Sequence, residues 1–144
     1  MTVESSAEAN KDLIRRFVEA IPNRGDLDSA VDFLHADCLV HFAYMPDIEG
    51  LEEFKQIPLT IRTAFPDLHE TIDDLIAEGD KVVERFTLHG THQGDFMGVP
   101  ATGRPVSWTS LAVYRLLDGK IAEIWAEGNF LGLCLQVGAV SPVS

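Results

Sequence analysis

The chain has 144 residues, 46% of them apolar, with 11 basic and 23 acidic side chains and a formal charge of −12. That length suits one domain with a real core, and residues 1–144 are read as a single unit. The charge argues against nucleic acid and anionic membranes as partners, because both select basic faces. No apolar run approaches the ~18 residues that a membrane span needs. Met1 to Asn10 is polar and acidic and lacks the basic patch and apolar core of a signal peptide. Cys38 and Cys134 stand among apolar neighbours and fit buried thiols in a reducing cytoplasm. There is no CxxC pair and no metal-spaced Cys/His set, so no metal site is expected.

Ser5 and Glu8 match the capping-box pattern, which predicts a helix starting near Ser6. Leu13, Ile14, Phe17, Val18 and Ile21 recur at helical spacing along it. Pro22 to Gly25 should end it. A short helix is expected after Asp26, with Ala30, Val31, Phe33 and Leu34 on its buried side and His35 to Asp37 closing it. Cys38 to Tyr44 reads as a strand that alternates Leu39, His41 and Ala43 with Val40, Phe42 and Tyr44. Gly50 opens a third helical segment that Pro58 should kink or divide and Pro66 must stop.

After Pro66 the pattern changes from helical to alternating. His69 to Glu78, Lys81 to Thr91, Pro105 to Leu116 and Lys120 to Glu127 are the strand candidates, with hairpin turns at Gly79-Asp80 and Asp118-Gly119. Phe130 to Val137 is a short closing segment. Helices followed by a run of antiparallel strands predict an α+β fold. The expected form is a curved, mostly antiparallel sheet wrapped around the N-terminal helices, a cone with an internal pocket.

Gly90 to Pro105 interrupts the strands with four glycines and two prolines, yet it carries Phe96, Met97 and Val99. A loop of this kind either closes the mouth of a pocket or is pinned to the core by Phe96 and Met97. Gly90 to Val106 resembles the SnoaL-like polyketide cyclases. So do Tyr114 to Trp125, Leu131-Gly132-Leu133, Ala64 to Leu68 and Ile76 to Asp80. The resemblance implies the nuclear-transport-factor-2-like cone, a homodimer or larger oligomer, and a mostly apolar cavity for a small hydrophobic ligand. It also implies cyclisation of an aromatic polyketide-like carbonyl compound by aldol-type proton transfer, without cofactor or metal. A link to polyketide hydroxylation, as in some relatives, or ligand binding without catalysis are the alternatives.

The resemblance places the family's catalytic aspartate at Ala126, a histidine near Ala112 and a further aspartate at Asn129. None of these side chains can exchange a proton near neutral pH. Three other residues are therefore the candidate acids and bases: His92, with Asp95 three residues on to orient it, and His41 in its strand. Each has a plain structural role as its alternative. The hairpin register at Asp118-Gly119 decides which face lines the pocket, since a slip of one residue exchanges the faces. With a three-residue bulged turn, Trp108, Ser110, Ala112 and Tyr114 share the pocket face with Ala126. Together with Phe17 and Asn129 they form the candidate ligand-binding wall, with Trp108 and Tyr114 as core aromatics the other reading.

Overall fold

A computed structural model of the chain describes residues 6–142. Helix α1 (Ala7–Val18) begins at Ser6, whose hydroxyl accepts the Ala9 N–H at 3.0 Å. Ser5, the other half of the expected capping box, lies outside the described residues. The stripe of Leu13, Ile14, Phe17 and Val18 is buried as its spacing requires. Pro22 then leaves its mark. It has no N–H and crowds the carbonyl four residues back, so the chain widens into a π-type turn over Glu19–Asn23. The Arg24 N–H reaches the Glu19 carbonyl at 3.0 Å, and Gly25 at φ +65° turns the chain away.

The next segment is shorter than its pattern suggests. A 3-10 turn (Leu27–Ser29) leads into α2 (Ala30–Phe33), and the strand β1 already starts at Leu34 and runs to Phe42. His35 to Asp37 therefore belong to the strand, and Val31 points to solvent, 51% exposed. After the two-residue β2 (Ile48–Glu49) come α3 (Leu51–Phe54) and α4 (Gln56–Ala64), divided at Lys55. Pro58 falls in the first turn of α4, where a missing N–H costs no intrahelical bond.

The strands β3 (His69–Glu78), β4 (Lys81–Thr91), β5 (Pro105–Leu117) and β6 (Lys120–Gly128) follow, and α5 (Phe130–Val137) closes the chain. The six strands form one curved, unclosed sheet in the order β2-β1-β6-β5-β4-β3. All neighbours are antiparallel except β1 and β6. The expected α+β architecture is thus the observed one, with β1 added in parallel beside the last strand.

The β5–β6 hairpin reaches the predicted register by a different route. Leu117 pairs Lys120 across a two-residue turn, and both Asp118 (φ 50°) and Gly119 (φ 78°) take the left-handed conformation of a type I′ turn. The register shift comes further up, between Arg115 and Leu116, where β6 carries one extra residue. Beyond that bulge Tyr114 pairs Ile124 and Ala112 pairs Ala126. A second bulge in β3, between Ile72 and Asp74, bends the opposite side of the sheet.

The loop from His92 to Arg104 docks on the end of α4. The Gln93 and Gly94 N–H groups both donate to the Ala64 carbonyl, at 3.0 and 3.1 Å. Phe96 is buried against Phe65, ring centroids 5.4 Å apart. Met97 instead points outward, 62% exposed, because its φ of 50° turns the chain at the loop tip. A Cβ on Gly94 would lie 2.2 Å from the Thr63 carbonyl oxygen, a fixed backbone atom. Gly94→Ala must therefore lift the loop off the helix. The expected cost is about 1–3 kcal/mol, read as a fall in melting temperature of several degrees by circular dichroism. An unchanged melting temperature would show that the loop is not docked there.

Candidate functional site

Between the concave face of the sheet and the helices lies a cavity of about 180 Å³. That is several water volumes, more than a packing defect leaves. Its walls come from α1 (Phe17) and the π-type turn after it (Ile21), β1 (Val40, Phe42), α3 and α4 (Phe54, Ile57, Ile61), β4 (Phe86, Leu88) and the β5–β6 hairpin. From the hairpin the bulged register turns Trp108, Ser110, Ala112, Tyr114, Ile124 and Ala126 inward. Tyr44 also lines the cavity yet is 48% exposed, so it stands at the mouth. Its ring stacks on Phe130, with centroids 4.3 Å apart and planes within 8°.

Of the sequence-predicted contact residues, Phe17, Trp108, Ser110, Ala112, Tyr114 and Ala126 all face this cavity. Asn129 does not. It caps α5, where its side-chain oxygen accepts the Gly132 N–H at 2.9 Å. Ser110 uses its hydroxyl to donate to the Glu127 carbonyl at 3.1 Å.

The predicted acid–base candidates lie elsewhere. His92 is fully buried in a second apolar cluster behind Trp108, beside Phe65. Its Nδ1 accepts the Thr102 N–H at 3.3 Å and sits 2.9 Å from the Thr102 hydroxyl, so the ring proton is on Nε2, which has no partner. This histidine ties the two ends of the loop together. Asp95 is exposed in that loop and makes no hydrogen bond to His92.

His41 alternates with the inward Val40 and Phe42 and so faces out, stacked on Trp125 at 5.5 Å. Its Nε2 lies 2.6 Å from Glu123 Oε2 and its Nδ1 3.0 Å from Asp47 Oδ1. The hydrogen bonds to Asp47 and Glu123 raise its pKa. The His41 bond and then Arg115 hold Glu123 below its ordinary range. The sequence expectation gave these residues a role in the pocket, while the fold sets them on the outer wall of the cone or behind its core.

One titratable group at the cavity wall was not among the sequence candidates. Glu70, on β3, is the single carboxyl among the lining residues, and it is only 7% exposed. Its backbone is fixed at both ends by the side chain that the widened turn after α1 presents. The Glu70 N–H donates to Asn23 Oδ1 at 2.6 Å, and Asn23 Nδ2 donates to the Glu70 carbonyl at 3.1 Å. Arg62 in turn holds that turn by donating to the Pro22 carbonyl at 2.7 Å.

The Glu70 carboxyl lies close enough to that of Glu84 on β4, which is completely buried, for each to shift the other's pKa. The Tyr114 hydroxyl donates to Glu84 Oε1 at 2.7 Å. Glu84 Oε2 is sealed from water with no N–H or hydroxyl donor. Two carboxyls can share a hydrogen bond only if one of them carries a proton. Burial, then the bond to Glu84 and its charge, push Glu70 well above the ordinary carboxylate range. Burial also raises Glu84, against the lowering effect of the bonds from Glu70 and Tyr114. Both carboxyls are thus held above the ordinary carboxylate range, Glu70 the more strongly.

The signal for this pair lies in the strand alternation. Val82, Glu84, Phe86 and Leu88 share one face of β4, and Glu70 and Ile72 share one face of β3 with Leu68 just before it, so each strand puts one glutamate in an apolar row. Among the described residues no group of three or more His, Cys, Asp or Glu side chains is placed to hold a metal ion.

The family model of the SnoaL-like polyketide cyclases matches residues 12–137. Aklanonic acid methyl ester cyclase DnrD of Streptomyces peucetius is 33% identical over 134 residues, covering 91% of this chain and 92% of that protein. Nogalonic acid methyl ester cyclase of Streptomyces nogalater is 29% identical over 118 residues, covering 81% and 88%. Among solved structures, TsrD of Streptomyces laurentii superposes with a TM-score of 0.83 at 31% identity, over 94% of this chain and 98% of that one. A match that runs from α1 to the end of α5, joined to the same cone, fixes the relationship: the chain belongs to the SnoaL-like polyketide cyclase family.

Proposed function

We propose that this protein is an enzyme that closes a ring in a small, neutral, aromatic polyketide-like carbonyl compound by intramolecular carbon–carbon bond formation. The observation that carries the reading is the cavity itself. Aromatic and aliphatic side chains surround it, and among the described residues Glu70 is the sole carboxyl at its wall. Binding of a flat apolar ring system there draws on buried area, about 25 cal/mol per Å² of apolar surface, and on contact with the Trp108, Phe17 and Tyr114 rings. Among the described residues no Lys or Arg lines the cavity. A free carboxylate on the substrate would lose its hydration without a cation to replace it. An esterified substrate avoids that cost, and the names of the aklanonic and nogalonic acid methyl ester cyclases support this choice. The two buried, unpaired thiols, Cys38 and Cys134, support a cytoplasmic setting.

The outer face of the sheet supports self-association. Trp125 is 37% exposed and Leu111 50%, and β1 carries His41 beside the tryptophan. We take a second copy of the chain as the cover for this face. In sedimentation at micromolar concentration the parent is expected as a dimer or larger. Trp125→Glu is expected to shift the distribution toward monomer, since it places a charge in the buried patch. A monomeric parent would overturn this part of the reading.

Ala126→Leu tests the cavity. The alanine methyl points inward between Phe42 on β1 and Ala112 on β5, and three added carbons would occupy ligand space. Aklanonic acid methyl ester is expected to raise the melting temperature of the parent, to be turned over by it, and to do neither with the variant. The apo variant should keep the parent's melting temperature or exceed it, because the extra carbons fill a void. Equal ligand shifts for both proteins would mean that the substrate binds elsewhere.

A further inference from the structure

We infer that Glu70, backed by Glu84, is the acid and base of the ring closure. The inference rests on the cyclase reading above and names the residues that perform it. Three observations point to the pair. Glu70 is the one carboxyl in contact with the cavity. It lies near enough to a second, fully buried carboxyl, Glu84, for that group to raise its pKa, and Glu84 accepts from the Tyr114 hydroxyl at 2.7 Å. Asn23 pins the Glu70 backbone on both sides, so its carboxyl is held in place on an edge strand. Burying two carboxyls side by side costs stability unless the arrangement does something. The other polar groups at the wall are less suited. The Ser110 hydroxyl is committed to a carbonyl, and the Ala112 and Ala126 methyls cannot exchange a proton.

The chemistry balances with one proton on the pair at rest. The cavity-facing oxygen of Glu70 takes the proton from a substrate carbon that lies between carbonyl groups. The proton already on Glu70 moves to Glu84, whose other oxygen keeps the Tyr114 bond. The electron pair freed at the substrate carbon forms the new bond to the carbonyl carbon across the ring. The π electrons of that carbonyl move to its oxygen. That oxygen takes the proton back from Glu70, which recovers its own from Glu84. The product is an isomer of the substrate, and no co-reactant is consumed. Glu84 never touches the substrate and is a positioning residue that stores the proton.

The pair is flanked by Tyr114 on β5 and by Asp73 at the β3 bulge, and neither is a cation. Loss of the shared proton at high pH would leave two adjacent carboxylates. They would oppose the negative charge that develops on the substrate, so that loss sets the alkaline limb of the activity profile.

The test uses the full chain and aklanonic acid methyl ester. Glu70→Gln keeps the shape and can still donate to Glu84. It should bind the ester within about threefold of the parent, with KM little changed, while kcat falls roughly 10²–10⁴-fold, the usual worth of a positioned acid or base. Glu84→Gln leaves Glu70 in place but removes the neighbouring negative charge that raises it. With no carboxylate at 84 to take the proton, kcat should fall and the alkaline limb should be displaced, the residual activity following ionisation of Glu70 alone, which a purely structural role for Glu84 would not produce. A folded Glu70→Gln protein that keeps kcat within threefold overturns the inference and leaves the cyclase reading standing. So does an unmoved alkaline limb in Glu84→Gln, which decides the matter if Glu70→Gln does not fold. A parent that neither binds nor converts the ester overturns the reading and the inference together.

Discussion

The structure depends on which face of the last hairpin turns inward. A strand shows its side chains to alternate faces, so a slip of one residue exchanges a cavity wall for an outer surface. Here the tight turn at Asp118-Gly119 would set one register, and the extra residue below Arg115 in β6 resets it. Above the bulge, Ala112, Tyr114, Ile124 and Ala126 form an apolar inner wall, and Glu123, Trp125 and Arg115 go outside. The parallel pairing of β1 with β6 carries the same division across, so Val40 and Phe42 face in while His41 faces Glu123 and Trp125. Charge and cavity are separated by this alternation alone.

Against that apolar wall, the Glu70–Glu84 pair is a deliberate exception. An isolated buried carboxylate would shift its pKa until it became neutral. Two neighbouring carboxyls can settle the matter differently, by holding one proton between them. Tyr114 completes the arrangement, since its own pKa is pushed well above the usual range and its hydroxyl stays a donor. The pair also links three strands, β3, β4 and β5, at the level of the cavity. The proline-widened turn after α1 supplies the anchor through Asn23. A sequence feature that looks like a helix stop therefore anchors the backbone of a cavity-wall carboxyl some 47 residues away.

Much of this was legible in the sequence. The strand boundaries from His69 onward, the helical stripe of α1 and the cavity-facing row of Trp108, Ser110, Ala112 and Tyr114 follow from periodicity and turn residues. Local chemistry misled where two elements compete for the same residues. Leu34 to Asp37 belong to β1, where Leu34 pairs Ile121 of β6, rather than extending a helix, because pairing into the sheet outweighs a weak helical pattern. Met97 lost its place in the core to a positive φ that periodicity does not encode. The histidines were conspicuous because they titrate near neutrality, yet His92 ties a loop and His41 faces outward. Glu70 and Glu84 went unremarked because glutamates are common in strands of an acidic protein. Their pairing depends on β3 lying beside β4 in a bent sheet, which is a fact of tertiary structure.

The central claim is that the cavity wall holds a carboxyl pair sharing one proton at neutral pH. It is tested most directly by carbon-13 NMR of the protein labelled at the glutamate carboxyls, followed through a pH titration with Glu70→Gln and Glu84→Gln for assignment. The account predicts one protonated carboxyl at pH 7, assigned to Glu70, beside an ionised Glu84. Both carboxyls ionised and titrating in the ordinary range, as for exposed glutamates, would contradict it.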